Sequence, residues 1–218
     1  MTVDDTKRHI RSIYIDVELS CWAGPPPLGM RQEIIEIGMV EMDLHTLEII
    51  REKSHFVRPK RWEISDRCTK LTGITKDDIQ SARPFPEVLA SLTEEFSPSR
   101  ALCCTWGNDA GLIAAACQSN GLKTPLRYLL DLAHLFQGLF LLKQTPGLGD
   151  AVGMLDMEFD GVPHGALVDA RNTAGVHAAV IRRMRRQPDL PPPPAQQNTE
   201  VAALTPFGEK LREALGTR

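Results

Sequence analysis

Residues 10–22 read Ile10-Arg11-Ser12-Ile13-Tyr14-Ile15-Asp16-Val17-Glu18-Leu19-Ser20-Cys21-Trp22. Through Val17 the β-branched and aromatic residues predict a buried strand. A strand sends residues i and i+2 to the same face. Asp16 and Glu18 therefore aim two carboxylates at one point, a disposition that suits a hard divalent cation. Cys21 to Met30 holds Gly24, Pro25, Pro26, Pro27 and Gly29 and predicts a loop. Residues 33–42 predict a second strand and 47–57 a third, ending before Pro59. The link at Leu44-His45-Thr46 is short enough to pair these two antiparallel.

From Ser65 the pattern turns helical. Ser65 caps a short helix that Gly73 ends, and a further turn starts at Thr75. Residues 86–96 predict a helix with Val88, Leu89, Leu92 and Phe96 on one face. Ala101 to Trp106 reads as a buried strand carrying Cys103 and Cys104 into the core. Asn108 caps a helix ending at Gly121, residues 128–132 are strand-like, and residues 131–143, 149–156 and 169–184 are helical. The expected fold is α/β, a central mixed β-sheet flanked by helices. Residues 1–185 form the expected domain. Residues 186–218 form a tail, with four prolines at 191–194 as a stiff linker and Phe207, Leu211 and Leu215 at helical spacing beyond it.

Composition narrows the function. The chain has 218 residues and a formal net charge of −3, which excludes a strongly basic nucleic-acid coat but not an enzyme with a small footprint. No apolar run is long enough to span a membrane, and the Met-Thr-Val-Asp-Asp opening lacks a secretory layout. Five cysteines without a CxxC pair argue against a disulfide framework and a structural zinc site. The expected location is the cytoplasm.

Further candidate residues lie far along the chain. Asp109 opens the helix after the strand 101–106. Asp169 opens the last long helix, five residues after His164 on a glycine-flanked loop. Each has an ordinary reading, the acids as complements to helix dipoles and His164 as a solvated side chain. Asp156-Met157-Glu158 repeats the Asp-x-Glu spacing, but after a helix and before Gly161, where an exposed loop is expected. Taken jointly, four acids and one histidine at the ends of predicted elements suit metal-assisted phosphodiester hydrolysis. Carboxylates hold two ions, and an imidazole takes a proton from water.

These residues resemble the DEDDh 3′–5′ exonucleases. The matching motifs are Asp16-Val17-Glu18, Asp109-Ala110-Gly111-Leu112-Ile113 and His164-Gly165-Ala166-Leu167-Val168-Asp169. The sequence is most similar to the Eri-type exoribonuclease branch. The shared stretches are Asp16 to Trp22, Glu33-Ile34-Ile35-Glu36-Ile37-Gly38, Leu71-Thr72-Gly73-Ile74-Thr75, Pro84 to Leu89, and Asp169 to Ala174. The resemblance covers residues 10–181 in order. It implies a ribonuclease H-like fold. It also implies Asp16, Glu18, Asp109 and Asp169 as ligands of two Mg²⁺ or Mn²⁺ ions, with His164 as general base. The partner it implies is the 3′ end of a single-stranded nucleic acid, RNA before DNA. Leu19 would wedge against the terminal nucleoside. Trp22 would stack on a base or serve as a core or lid residue. Lys143, Arg171, Arg127 and the basic run 182–186 are candidate phosphate contacts.

Two departures stand out: Trp106-Gly107-Asn108-Asp109 is one residue shorter than the branch pattern, and Ser20 replaces a threonine. The short link leaves open a binding module of the same fold without turnover. A DNA-directed exonuclease is the other alternative. Oligomeric state stays open.

Overall fold

The computed structural model describes residues 10–60 and 64–186. The expected linker and the Phe207 to Leu215 helix lie outside them. The chain divides into two units, residues 1–183 and 184–218.

The strands are β1 (Arg11–Leu19), β2 (Ile34–Asp43), β3 (Ile49–Arg58), β4 (Arg83–Pro84), β5 (Leu102–Thr105) and β6 (Tyr128–Asp131). They form a mixed sheet in the order β4-β3-β2-β1-β5-β6. β1 pairs antiparallel with β2 and β2 with β3. β1 pairs with β5 in parallel, as do β5 with β6 and β3 with β4. The helices are α1 (Asp66–Thr72), α2 (Lys76–Ser81), α3 (Phe85–Phe96), α4 (Asp109–Ser119), α5 (Leu132–Leu139), α6 (Leu148–Met154) and α7 (Ala166–Arg185).

Alternation along β1 divides the core. Ile13, Ile15 and Val17 join Ile37, Met39 and Cys103 in a cluster closed by Val88, Leu92 and Phe96 of α3 and Ile113 and Cys117 of α4. Tyr14 faces the other way, with Val40, Met42, Cys104 and the α7 residues Ala170, Ala174 and Ala178. Alanines at i, i+4 and i+8 make one narrow stripe of a helix, which lets α7 lie close to the sheet. Gly38 takes this to the limit: a Cβ there would sit 2.3 Å from the carbonyl carbon of Ala166.

The expected strands and helices form, with shifts at their ends. β3 starts at Ile49, two residues late, because Asp43 accepts the N–H groups of His45 (2.6 Å) and Thr46 (3.0 Å) and turns the chain before Leu47. Leu47 then takes a φ of 63°, which no strand residue adopts. α5 ends at Leu139 instead of residue 143, and Leu141 has a φ of 54°. β4 and the short 3₁₀ turn Pro98–Arg100 are too brief to show a period in the sequence. α7 begins at Ala166, three residues early, so Asp169 sits one turn inside the helix.

The motif at 71–75 is structural. Gly73 ends α1 with a φ of 77°, and Thr75 opens α2 in a reciprocal cap with Asp78. Ile74 packs with Ile35, Ile64, Cys68 and Ile79. The pairing of β1 with β2 skips from Glu18↔Glu36 to Leu19↔Ile34, leaving Ile35 as the extra residue of a bulge that turns into this cluster.

Candidate active site

The four acids named from the sequence converge at the carboxyl end of β1. Asp16 and Glu18 lie on the face toward α7, two and four residues beyond Tyr14. The β1–β5 pairing stops at Tyr14↔Cys104. Beyond that point Asp109 comes close enough to raise the Asp16 pKa, and the backbone N–H of Val17 pulls the Asp109 pKa down. The parallel strands part here, and such crevices at their carboxyl ends are where α/β sheets build sites. The short Trp106 to Asp109 link therefore still delivers its acid. Asp131 braces that link, accepting Gly107 N–H at 3.1 Å while capping α5 through Ala133 N–H at 2.9 Å. Gly107 takes a φ of 99°.

Asp169 arrives from α7, and two residues of β2 fix where α7 starts. Gly38, paired with Asp16, allows the contact. Glu36, buried and paired with Glu18, accepts the backbone N–H of Ala166 at 3.0 Å. That N–H belongs to the unpaired first turn of the helix. Further along, the Tyr14 hydroxyl and Nδ1 of His177 lie 2.7 Å apart in the core. Burial lowers the His177 pKa, so this imidazole is held neutral. Three contacts between distant segments thus seat α7 on β1 and β2.

His164 sits on the loop before α7 with a φ of 70°, an uncommon conformation that a non-glycine residue holds at some energetic cost. Its N–H donates to Oδ2 of Asp169 at 3.2 Å. Its imidazole is exposed. One ring nitrogen lies within 4.8 Å of a carboxylate oxygen of Glu18 and of Asp169. Asn172 ties this loop to α7: its Oδ1 accepts Asp160 N–H at 2.9 Å, and its amide donates to the carbonyls of Asp160 (3.0 Å) and Val168 (2.9 Å).

The electrostatics show what the cluster lacks. Burial, then Asp109, Asp169, Glu18 and Glu36, hold the Asp16 carboxyl well above the usual carboxylate range. Burial pushes Glu18 up to about 8, with Asp169, Glu36 and Asp109 adding to it. Burial raises Asp109 to about 6 against the pull of its backbone N–H bonds. Asp169 is raised by burial and held back by His164. Like charges at close range disfavour joint ionisation. Oδ1 of Asp169 is buried without a hydrogen-bond partner. Hard oxygen donors, mutual repulsion and an orphaned carboxylate oxygen fit a divalent cation.

The sequence profile of the RNase_T family, described as exonuclease, matches residues 13–177. This chain belongs to the exonuclease family. It is 36% identical over 187 residues to ERI1 exoribonuclease 2 of Danio rerio, covering 74% of this chain and 33% of that protein. It is 29% identical over 181 residues to 3'-5' exoribonuclease 1 of Homo sapiens, covering 77% of this chain and 51% of that one. The chain thus spans a third to a half of the curated relatives it matches. The crystal structure of the nuclease domain of 3'hExo, described as a DEDDh family member bound to rAMP, superposes with a TM-score of 0.73. The two are 26% identical, and the match covers 84% of this chain and 96% of that one. The ribonuclease H-like fold expected of this family is the fold observed.

Leu19 is partly buried against the α3/α4 core, and Trp22 lies half-buried in the loop after Cys21. Arg171 is not a free phosphate contact. It grips Glu52 at 2.9 and 2.7 Å and approaches Asp160 at 3.5 Å, tying α7 to β3. Nothing in the sequence marks Asp131, and Glu36 stands there only as part of a motif. A carboxylate three residues beyond Glu33 in a strand is no signal by itself. Its burial and its helix-start partner come from packing.

Proposed function

We propose that the chain is a metal-dependent 3′–5′ exonuclease that releases nucleotides from the 3′ end of a single strand, RNA before DNA. One observation carries this reading. Asp16, Glu18, Asp109 and Asp169, from three distant segments, meet with one oxygen unpartnered beside the imidazole of His164. Those four carboxylates would hold two Mg²⁺ or Mn²⁺ ions. When bound, such a pair neutralises charge on the attacking and leaving oxygens of an in-line displacement. His164 takes the proton from the attacking water, since an imidazole titrates near neutral pH. Its exposure gives that proton a route to solvent. The bond from its N–H to Asp169 fixes the base relative to the acids. Leu19, the residue after Glu18, wedges against the terminal nucleoside, and Trp22 offers an aromatic face for a base.

Preference for RNA is supported by the relatives named exoribonucleases and by the rAMP held by the similar nuclease domain. We assign residues 1–185 to the exonuclease domain and 186–218 to a tail. Five free thiols suit a reducing compartment, which favours the cytoplasm. Among the described residues no helix is long and apolar enough to cross a membrane.

The test is a 5′-labelled oligoribonucleotide with an open 3′ end. A ladder that needs Mg²⁺ or Mn²⁺ and vanishes in Asp16→Ala is the expected result. An equal DNA oligomer, run alongside, reads sugar preference. A wild type that makes no metal-dependent product from either strand defeats the proposal and leaves the binding-module reading.

A further inference from the structure

On the other side of β1 from the carboxylates, a groove of about 340 Å³ opens at Leu19, the neighbour of Glu18. Ile34, Val57, Phe85 and Leu112 give it an apolar floor. The α4 wall runs from Leu112 to Ser119. Eight residues of helix at about 1.5 Å each make roughly 12 Å, several steps of a stacked strand at about 3.4 Å. The groove therefore leads away from the acids and is longer than one nucleotide.

Its opposite wall is basic. Arg31 comes from the loop entering β2, Arg58 ends β3, and Lys60 follows it. All three are exposed. None of their side chains takes part in an ion pair among the described residues, whereas three cations of β1 and β3 and one of α7 are engaged. Arg11 and Arg51 pair with Glu41, Lys53 with Glu95, and Arg171 with Glu52. The one acid in the wall, Glu33, accepts the backbone N–H of Lys60 at 3.1 Å. Three uncommitted cations over an apolar floor that begins at Leu19, the residue after Glu18, make a surface for a chain that carries one anion per unit and an apolar face between anions.

We infer that this groove is the track for the single strand upstream of the scissile bond, with Arg31, Arg58 and Lys60 as its phosphate contacts. The inference rests on the exonuclease reading and adds where the strand runs. It also explains how a chain of net charge −3 can hold a polyanion. The positive charge is local and is separated from the acids by the strand itself.

The experiment compares wild type, the triple variant Arg31→Ala/Arg58→Ala/Lys60→Ala, and Arg100→Ala, an exposed cation outside the groove. Binding of a fluorescent octaribonucleotide is measured by anisotropy in Ca²⁺ at several salt concentrations. Hydrolysis of the octamer is then compared with that of a dinucleotide. The expected result is octamer binding at least tenfold weaker in the triple variant. The slope of log K on log salt should be shallower by about 2, since each single-strand phosphate contact contributes about 0.7. Octamer kcat/KM should fall at least tenfold more than that of the dinucleotide, and Arg100→Ala should bind within twofold of wild type. Octamer binding and salt slope unchanged in the triple variant, or equal losses on octamer and dinucleotide, overturn the track. If wild type hydrolyses neither substrate, the exonuclease reading fails, and the binding arm still decides the track. Circular dichroism confirms that the triple variant is folded.

Discussion

On the side toward α3 and α4, β1 presents Ile13, Ile15 and Val17 to a dry core; on the side toward α7 it presents Tyr14, Asp16 and Glu18. The same backbone thus supplies packing through one set of side chains and chemistry through the other. The lesson is mechanical. Apolar contacts behind the strand hold it rigid, so repelling carboxylates in front can be kept together. The front is close-fitting for a different reason: α7 touches β2 at Gly38 with no side chain between, and the Glu36 carboxylate holds its first N–H.

The sharpest way to break the front is to remove the proposed base. His164→Ala should lower kcat by about 10²–10⁴-fold while Mn²⁺ affinity, read by calorimetry, stays within a few-fold. A parallel loss of metal affinity would instead make His164 a ligand, an arrangement its distance to Glu18 and Asp169 permits. Gly38→Ala tests the close fit. A methyl 2.3 Å from the Ala166 backbone must push α7 away and move Asp169. We expect activity to drop about 10–100-fold, as for lost metal-supporting groups. Stability should drop by about 1–3 kcal/mol, as for overpacking. Activity retained alongside lost stability would separate the seat of α7 from the chemistry.

Titration without divalent ions gives a smaller, graded effect. The raised carboxylates favour the fold while protonated. Their contribution is complete below their ordinary range and is lost as pH rises through about 6 for Asp109 and about 8 for Glu18. Metal-free protein should therefore show a falling Tm across that window, and Mn²⁺ should recover more of it at the alkaline end. A Tm that rises with pH over the window, or a Mn²⁺ effect independent of pH, contradicts this. Ile37→Val, behind the strand, is the mildest test. It should cost about 0.5–1.5 kcal/mol in chemical denaturation and leave Mn²⁺ affinity alone.

Legibility followed the range of the interaction. β1, β2, α3 and α4 carry their patterns in consecutive residues and form within a residue or two of where the pattern puts them, although Asn108 makes no side-chain capping bond at the start of α4. The start of α7 was misplaced because Gly165 and Ala166 carry no cap signal; the helix start is fixed by Glu36, 130 residues away in sequence. The late start of β3 is hidden in an Asp43 side-chain bond. For the site, the residue types and order were enough to name Asp16, Glu18, Asp109, His164 and Asp169, because motif spacing is local. Their supports were not. Asp131 is an ordinary acid between a strand and a helix until Gly107 is seen donating to it.

The chain by itself determined the alternation that puts Asp16 and Glu18 on one face of a buried strand, since side-chain direction in a strand is a two-residue property. Folding decided how the other acids reach them, which cations stay uncommitted and where a strand of substrate can lie. Those depend on the approach of segments remote in sequence: Gly38 under Ala166, Glu52 claiming Arg171, and β3 ending beside α4. No local pattern encodes such distances.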